Sequence, residues 1–339
     1  MTENGFKFEA HSVTTEDGYE LTLHRIPPQD VCKQHSTPVL LQHGMDDSSY
    51  QWVVNSPDKS IAFMLAKHGY DVWMANTRGN FFSQKHQKWT PDQAQFWDFD
   101  YEEMGTKDQP ANIDHILNTS HDCFGRKFDK IAAYVGHSQG TTQFFAAGSL
   151  MPEYFESKVN LFVALAPVVR FDLSMGKLEK LAAKESKYIE RLIKIAHLYN
   201  WLPQSKIAHL FNPYFCSSLP KVCTLLSGGV FGITEGVDDK DRWDVLMAHA
   251  PAGNGWRSMV HYAQTINAEK FQRYDWGPDK NQEIYGQSSP PEYDLSKFPI
   301  SLAVASGDID PGADPLDVAW LLDQEESGLN TEDLLLFDK

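Results

Sequence analysis

The pentapeptide GHSQG at residues 136–140 has the pattern of a serine nucleophile on a sharp turn. A serine hydroxyl is a weak nucleophile until a neighbouring base removes its proton, and the tetrahedral intermediate that it forms needs hydrogen-bond donors for its oxyanion. Such a short pattern recurs by chance, so its meaning depends on the elements around it. The chemistry that it predicts is acyl transfer at Ser138.

A strand and a helix are predicted on either side of Ser138. The apolar run 130–135 favours a buried strand, and residues 141–151 favour a helix. A nucleophile elbow requires this strand-turn-helix context, because its glycines avoid steric collisions and the helix N-terminus favours developing negative charge. We therefore interpret the pentapeptide as a nucleophile elbow and not as a structural loop.

A second strand, predicted at residues 38–44, ends in Gln42-His43-Gly44. In an elbow site one oxyanion donor is the N–H of the residue after the serine, and the other comes from the loop after such a strand. The N–H groups of Gln139 and Met45 are the candidate pair. Losing one such donor costs about 3 kcal/mol of transition-state stabilisation. We interpret His43 as a structural residue that orients this loop.

Strands and helical segments alternate along most of the chain. A hairpin is predicted over residues 14–25 with its turn at Asp17-Gly18, further strands at 70–75, 162–166 and 300–305, and helices at 61–68 and around 113–117. This alternation implies βαβ units and a mostly parallel sheet. Residues 168–270 form longer amphipathic stretches, which we interpret as a helical insertion. The alternative is that these helices cover the sheet directly.

The composition excludes some classes of function. The chain has 42% hydrophobic and 22% charged residues, which is typical of a globular protein, and its net charge of −16 argues against nucleic acid as a partner. No apolar run approaches the roughly 20 residues of a membrane span. The sequence lacks H-E-x-x-H, and Cys216 and Cys223 have no histidine pair at zinc spacing, so we expect neither a metal nor another cofactor.

Several longer stretches resemble the acid lipases, the family that contains gastric and lysosomal acid lipase. The stretches are VTTEDGYELTLHRIP from Val13, LLQHGMDDSSYQW from Leu40, YDVWMANTRGN from Tyr70, FWDFDYEEMGTKDQPANIDHIL from Phe96, YVGHSQGTTQFF from Tyr134, VHYAQTINAEKFQRYDWG from Val260 and ADPLDVAWLL from Ala313. The resemblance runs from about residue 10 to the end of the sequence.

This resemblance implies an α/β-hydrolase core, residues 1–167 and 271–339, with helices on both faces of the sheet and an inserted helical cap at residues 168–270. It implies that the chain hydrolyses neutral lipid esters, either triacylglycerols or cholesteryl esters, through an acyl-enzyme at a lipid–water interface. It also implies a secreted or lysosomal protein, although the first residues contain no apolar signal segment.

The resemblance also carries residue roles onto this sequence. By position, Ser138 matches the nucleophile, Met45 and Gln139 match the oxyanion-hole residues, and Asp310 matches the triad acid, with Asp308 as the alternative. The two cysteines named above, Cys216 and Cys223, lie where family members often carry a cap disulfide, and whether they pair is left open. We expect the other two cysteines, Cys32 and Cys123, to be plain thiols.

The triad histidine of the family follows the acid by about thirty residues, and this sequence has no histidine after Asp310. The last one, His261, matches a non-catalytic position. We therefore expect the C-terminal part of the fold to be missing, with the chain either a fragment or a natural truncation. A further alternative for the absent base is that His43 or His137 substitutes for it. Without its base a triad enzyme loses several orders of magnitude in rate, so we expect the 339-residue chain to be nearly inactive.

Two other functions remain open at this stage. The chain could be a catalytically inactive lipase homologue that only binds lipid, or a hydrolase of peptides or small esters. A preference for medium or long acyl chains would distinguish a lipase from a hydrolase of peptides or small esters.

Overall fold

The computed structural model of the chain describes residues 1–32, 36–170, 184–204, 243–308, 310, 312–323 and 331–337. The strands are β1 (Glu9–Thr14), β2 (Tyr19–Ile26), β3 (Pro38–Gln42), β4 (Asp71–Met74), β5 (Lys85–His86), β6 (Ile131–His137), β7 (Val159–Leu165), β8 (Asn200–Trp201), β9 (Asn254–Gly255), β10 (Ser301–Gly307) and β11 (Thr331–Phe337). The helices are α1 (Ile61–Lys67), α2 (Tyr101–Glu103), α3 (Gln109–Thr119), α4 (Gln139–Leu150), α5 (Pro152–Lys158), α6 (Ser186–Ala196), α7 (Trp243–His249), α8 (Trp256–Ala268), α9 (Pro278–Tyr285) and α10 (Pro315–Asp323).

One mixed sheet organises these elements. Its strand order is β1-β2-β4-β3-β6-β7-β10-β11, and the short β5 also pairs with β2. The strands β4, β3, β6, β7, β10 and β11 pair in parallel, whereas β1, β2 and β5 join in antiparallel fashion. The short strands β8 and β9 form a separate antiparallel pair. The chain has the α/β-hydrolase fold, with a mostly parallel sheet and flanking helices.

The order of the parallel strands reverses at β3. The chain continues from β3 to β4 on one side of it, and β6 then pairs on the other side. The loops that leave the carboxyl ends of β3 and β6 therefore diverge and open a crevice between them. Ligand sites of open α/β sheets occur at such a switch point.

Both faces of the sheet are buried. Within β3, Val39 and Leu41 point into one apolar cluster together with Phe63 of α1, while Leu40 points into a second, larger cluster. Strands that are covered on both faces read as continuous apolar runs, which is why residues 38–42 are all apolar up to Gln42. The sheet is thus the middle layer of three.

Helix α4 lies at the centre of the larger cluster. Of its 12 residues, all except Leu150 are buried, and Phe144 and Phe145 pack against Phe162 of β7. Burial on this scale fixes the helix against the sheet, because each large aromatic side chain removes about 150–250 Å² of surface from water. Ser138, which precedes this helix, is consequently held in a defined position.

The predicted elements of the core are confirmed. The hairpin forms from β1 and β2 with Gly18 at φ 98°, and the strands and helices expected on either side of Ser138 are β6 and α4. The last described strand, β11, pairs in parallel with β10.

Within the insertion predicted at residues 168–270, the described segments include the helices α6, α7 and α8. Trp256, Val260 and Tyr262 of α8 belong to the larger core cluster, so this helix packs directly on the core. The cysteines expected near a cap disulfide, Cys216 and Cys223, lie outside the described residues, and the domain boundaries stay a prediction. No helix in the described ranges combines the length and apolar character needed to cross a bilayer.

The expectation of two plain thiols at Cys32 and Cys123 is wrong. These residues form a disulfide with their Cα atoms 4.6 Å apart, and it closes a sequence separation of 91 residues. Bridging so distant a pair requires that the loop after β2 lie beside the loop after α3, which the sequence pattern does not reveal. Disulfides persist mainly in oxidising compartments.

Candidate active site

Ser138 occupies a strained turn between β6 and α4. Its backbone has φ 49° and ψ −119°, a region that side chains rarely adopt. The Ser138 N–H donates to the carbonyl of Leu165 at 3.0 Å, and its carbonyl accepts from the N–H of Thr141 at 2.8 Å. These bonds tie the serine to the neighbouring strand β7 and to the first turn of α4. Strain of this kind persists only where the surroundings enforce it, and it is common at active sites.

The two glycines of the pentapeptide are required by close packing. A Cβ atom on Gly136 would lie 2.8 Å from the carbonyl oxygen of Gly140, and one on Gly140 would lie 2.6 Å from the carbonyl oxygen of Gln42. Real Cβ atoms do not approach other atoms so closely. The strand β6 and the start of α4 can therefore meet β3 only if both positions lack a side chain, as the sequence pattern predicts.

The loop after β3 lies directly against the serine. We call residues 43–48 the β3 loop. A Cβ atom on Gly44 would lie 3.2 Å from Cβ of Ser138 and 2.9 Å from Nδ1 of His137. Gly44 thus brings the backbone of the β3 loop into contact with the elbow. Met45, the next residue, is partly buried and packs against the larger core cluster.

His43 holds the β3 loop and is fully buried. Its Nε2 accepts from the backbone N–H of Thr77 and the side-chain amide of Asn80, both at 3.2 Å. Nδ1 must then carry the proton, and it donates to the carbonyl of Gly44 at 2.7 Å. Burial lowers the pKa of His43 to about 4, so the ring is neutral near pH 7. With both nitrogens engaged, His43 orients the loop, in line with the structural role expected from the sequence.

The remaining polar residue of the TRGN stretch, Arg78, clamps the core. Its guanidinium is fully buried, donates to Asp108 at 2.7 Å and to Asp17 at 2.7 Å, and lies over the ring of Tyr19 at 4.1 Å. A buried arginine is tolerated only when it is paired in this way. This part of the stretch YDVWMANTRGN therefore has a structural role, since Thr77 and Asn80 hold His43 and Arg78 joins the hairpin to the segment before α3.

The side chain of Gln139 is fixed at the start of α4. Its Oε1 accepts from Nδ2 of Asn254 at 3.0 Å, and its Nε2 lies 3.5 Å from Sδ of Met104. All three residues are buried. The first N–H groups of a helix have no partner within the helix and point away from its N-terminus. The Gln139 side chain is thus fixed at the N-terminal end of α4, next to Ser138.

Asp310 lies on the loop between β10 and α10. Its Oδ1 accepts from the N–H of Gly312 at 2.8 Å and from the N–H of Ala313 at 3.0 Å. The residue is half-buried, whereas Asp308 is exposed. Because β6, β7 and β10 are adjacent and parallel, this loop leaves the same edge of the sheet as the elbow.

His137, the residue before Ser138, interacts electrostatically with Asp310 on the loop after β10. Burial lowers its pKa, and the nearby Asp310 carboxylate opposes part of that shift. Its Nδ1 is buried and has no hydrogen-bond partner among the described residues. His261 lies elsewhere, fully buried, with its ring stacked on Tyr101 and its Nε2 donating to the carbonyl of Gln272 at 2.8 Å.

The structure therefore brings most of the predicted site residues to one edge of the sheet. Ser138, Gln139 and the loop that carries Met45 adjoin one another, and Asp310 lies close enough to affect His137. Sequence reasoning missed the support from Asn254, because it comes from a residue more than 100 positions away. It also assigned no role to Asp46, the buried carboxyl that follows Met45.

Comparisons of the sequence identify the family to which the chain is similar. The α/β hydrolase fold family matches residues 37–338, and a partial α/β-hydrolase lipase region matches residues 1–56. The chain is 39% identical over 328 residues to the lysosomal acid lipase/cholesteryl ester hydrolase of Macaca fascicularis, covering 94% of this chain and 79% of that protein. It is 36% identical over 348 residues to the gastric triacylglycerol lipase of Rattus norvegicus, covering 100% of this chain and 84% of that protein.

A third relative and two solved structures extend the comparison. Lipase member K of Mus musculus is 37% identical over 324 residues, which are 94% of this chain and 79% of that protein. The thioesterase domain from the curacin biosynthetic pathway superimposes with a TM-score of 0.51 at 13% identity, covering 98% of this chain and 93% of that one. The Pyrococcus furiosus esterase Pf2001 gives 0.50 at 15% identity, with 100% and 84% covered. At these identities the two structures bear on the fold alone.

Proposed function

The chain belongs to the acid lipases of the α/β-hydrolase fold family, and from this membership we propose that it is a serine hydrolase of neutral lipid esters. The expected substrates are triacylglycerols or cholesteryl esters, as for the gastric triacylglycerol lipase and the lysosomal acid lipase/cholesteryl ester hydrolase that the chain resembles. One observation carries the proposal: Ser138 occupies a positive-φ turn at the switch point of the sheet, in contact with the β3 loop.

In the proposed acylation step, Oγ of Ser138 attacks the ester carbonyl carbon while a base takes its proton. The C–O π bond opens, and the negative charge moves to the carbonyl oxygen, where the N–H groups of Met45 and Gln139 donate to it. The N-terminus of α4 also favours this charge. The tetrahedral centre then collapses, the alcohol leaves with the proton from the base, and Ser138 keeps the acyl group. Water repeats the sequence and releases the fatty acid.

We assign Asp310 as the acid that orients the base. Its Oδ1 is used by the loop N–H groups of Gly312 and Ala313, and its Oδ2 accepts no hydrogen bond from a described residue. We propose that Oδ2 receives the N–H of an imidazole that enters at this edge of the sheet. The strand β11 runs parallel to β10, so a residue placed after β11 emerges at the same edge.

Neither nearby histidine of the chain is arranged as that base. Both nitrogens of His43 are engaged in holding the β3 loop, and burial lowers the pKa of His43 to about 4. Burial also lowers the pKa of His137, whose Nδ1 is enclosed. We therefore expect slow acylation by the 339-residue chain. Slow acylation is also consistent with the second candidate function, that of a homologue that binds lipid without turnover.

A neutral lipid surface fits the exposed side of α6. Tyr188, Leu192 and Ile195 follow one another at helical spacing and are 69%, 64% and 66% exposed. Apolar side chains in such a stripe bind lipid interfaces, and the net charge of −16 disfavours anionic ones. We propose that residues 168–270, which contain α6, form the helical cap over the site and carry the lipid contact.

The reaction of Ser138 with a fluorophosphonate tests the assignment, with intact mass as the readout. We expect one adduct per chain, formed over hours, that maps to Ser138 and is absent from Ser138→Ala. Stoichiometric labelling within seconds would contradict the expectation of slow acylation. Labelling that persists in Ser138→Ala would contradict the assignment of Ser138 as the nucleophile.

Restoring the base provides the complementary test. Extending the chain beyond β11 with a histidine-bearing segment should raise the labelling rate by about 10³-fold or more, since triad members act as a unit. The matched control carries the same segment with alanine in place of that histidine. In the extended protein, p-nitrophenyl esters of increasing chain length should show a preference for medium or long acyl chains. A preference for acetate would favour a small-ester hydrolase.

A further inference from the structure

Two adjacent carboxyl groups, Asp46 and Asp47, follow the proposed oxyanion donor Met45 directly. Asp46 has φ 56°, a left-handed conformation that few residues other than glycine, asparagine and aspartate adopt. Its carbonyl accepts from the N–H of Ala252 at 2.6 Å, which ties the β3 loop to the segment before β9. The backbone is therefore pinned, and the Asp46 side chain is held inside the protein with 8% of its surface exposed.

The Asp46 carboxyl has no compensating partner in the part of the chain that the structure describes. Its Oδ1 is buried and accepts no hydrogen bond, and no described lysine, arginine or histidine forms an ion pair with Asp46 or Asp47. Asp47 accepts from the N–H of Ser48 at 2.7 Å. A buried carboxylate without partners is expensive, so the neutral acid is favoured.

Among the residues that the structure describes, the groups that act electrostatically on Asp46 supply no positive charge. From its own loop Asp47 adds a like charge, and from α8 the phenol of Tyr262 lies near enough for Asp46 to raise its pKa further. The Tyr262 hydroxyl donates to Oγ1 of Thr142 at 3.0 Å. The described groups that interact with Asp46 are therefore acidic or neutral.

The protonation of this pair changes near neutral pH. Burial raises the pKa of Asp46 to about 7, and the charge of Asp47 adds to that shift. Burial likewise raises the pKa of Asp47 to about 7, although the Ser48 N–H opposes part of it. Both groups are neutral in acid solution, and the β3 loop gains negative charge as the pH rises.

We propose that Asp46 controls the oxyanion site through its charge. As a neutral acid it leaves the electrostatic field of the Met45 and Gln139 N–H groups intact. As a carboxylate one residue from Met45, it opposes the negative charge that forms on the substrate oxygen. Because Asp46 is covalently joined to Met45, the two charges lie within about one Debye length of each other, and in a partly buried site this is close enough to slow the reaction about tenfold. This inference rests on the proposed function and adds a charge-controlling residue to it.

The test compares the rate at which a fluorophosphonate labels Ser138 in the unmodified chain and in Asp46→Asn, from pH 5 to pH 9. The reagent places an anionic oxygen where the ester oxygen would lie, and the ratio of the two rates cancels the pH dependence of the base and of hydroxide. We expect a ratio near one at pH 5 that rises to about ten at pH 9. Asp58→Asn, at an exposed carboxyl, should give a ratio near one throughout.

A ratio for Asp46→Asn that stays within twofold across this range would overturn the inference. Thermal unfolding identifies a variant that does not fold, and Asp46→Ser, a second neutral replacement, then takes its place. The proposed function has a separate criterion: if Ser138→Ala is labelled as fast as the unmodified chain, the nucleophile assignment fails whatever the ratio. If Ser138→Ala is inert and the ratio is flat, only the role of Asp46 fails.

Discussion

The ends of β6 and β10 lie at the same edge of one sheet, yet they hold their site residues in different ways. After β6, Ser138 adopts a strained conformation and is surrounded by main-chain atoms of β3 and by glycines that admit no side chain. After β10, Asp310 is half-buried, has no positive φ and is bonded to the N–H groups of its own loop. A Cβ atom on Gly307 at this second end would meet no atom of a described residue closer than Cβ of Asp310 at 3.9 Å.

This difference indicates that the nucleophile is positioned by packing and the acid by local hydrogen bonds. The place of Ser138 depends on contacts between strands that are distant in sequence, so changes there should affect the stability of the whole domain. The place of Asp310 depends on a few neighbouring residues, so changes there should affect the chemistry and leave the fold stable.

The largest expected contrast in stability comes from alanine at one glycine of each strand end. Gly140→Ala places a Cβ atom 2.6 Å from the carbonyl oxygen of Gln42, so β3 or α4 must shift, and we expect a loss of about 3 kcal/mol in the free energy of unfolding. Gly307→Ala is the matched control and should change it by less than about 0.5 kcal/mol. Urea unfolding measures both, and equal losses would remove the contrast between the two ends.

A smaller effect concerns pH and the histidine that supports the β3 loop. Burial lowers the pKa of His43 to about 4 in the folded protein, below the ordinary value of 6.5. The unfolded chain therefore binds the extra proton first, and the stability that neutral His43 contributes is present above pH 6.5 and is lost as the pH falls towards 4. At pH 5 the loss should be about 2 kcal/mol relative to pH 7.

Comparison with His43→Asn isolates this contribution, because the titration of other groups, including Asp46 and Asp47, is common to both chains. We expect the stability advantage of the unmodified chain over His43→Asn to shrink by about 2 kcal/mol between pH 7 and pH 5. An advantage that is the same at both pH values would show that His43 is not held neutral, and the account of the β3 loop would then need revision.

The smallest effect concerns the strain at Ser138 itself. Ser138→Gly removes the Cβ atom that makes φ 49° unfavourable, so we expect the free energy of unfolding to rise by about 1 kcal/mol relative to Ser138→Ala, which keeps that atom. Both variants lack the hydroxyl and should be equally inert. Ser138→Gly that is less stable than Ser138→Ala would argue that the turn is not strained.

The sequence predicted the surroundings of Ser138 after β6 better than those of Asp310 after β10. Strand, turn and helix around Ser138 each leave a local pattern, and the glycines of the pentapeptide are required by the contacts found at Gly136 and Gly140. The position of Asp310 came from family resemblance alone, since an aspartate on an open loop has no pattern of its own.

Features that depend on long-range contacts could not be predicted. The Cys32–Cys123 disulfide joins two loops 91 residues apart, and nothing near either cysteine indicates the pairing. The role of Thr77 and Asn80 becomes visible only when His43 is placed beside them. The burial of Asp46 could not be predicted either, because whether a carboxyl in a polar stretch of sequence is buried depends on the fold.

The central claim is that Ser138 presents its hydroxyl beside two oxyanion donors at the switch point of the sheet. A crystal structure of the phosphonate adduct tests it most directly. We predict a covalent bond from phosphorus to Oγ of Ser138, with the phosphonyl oxygen about 2.7–3.1 Å from the backbone nitrogens of Met45 and Gln139. An adduct on another residue, or a phosphonyl oxygen directed away from both nitrogens, would contradict the account.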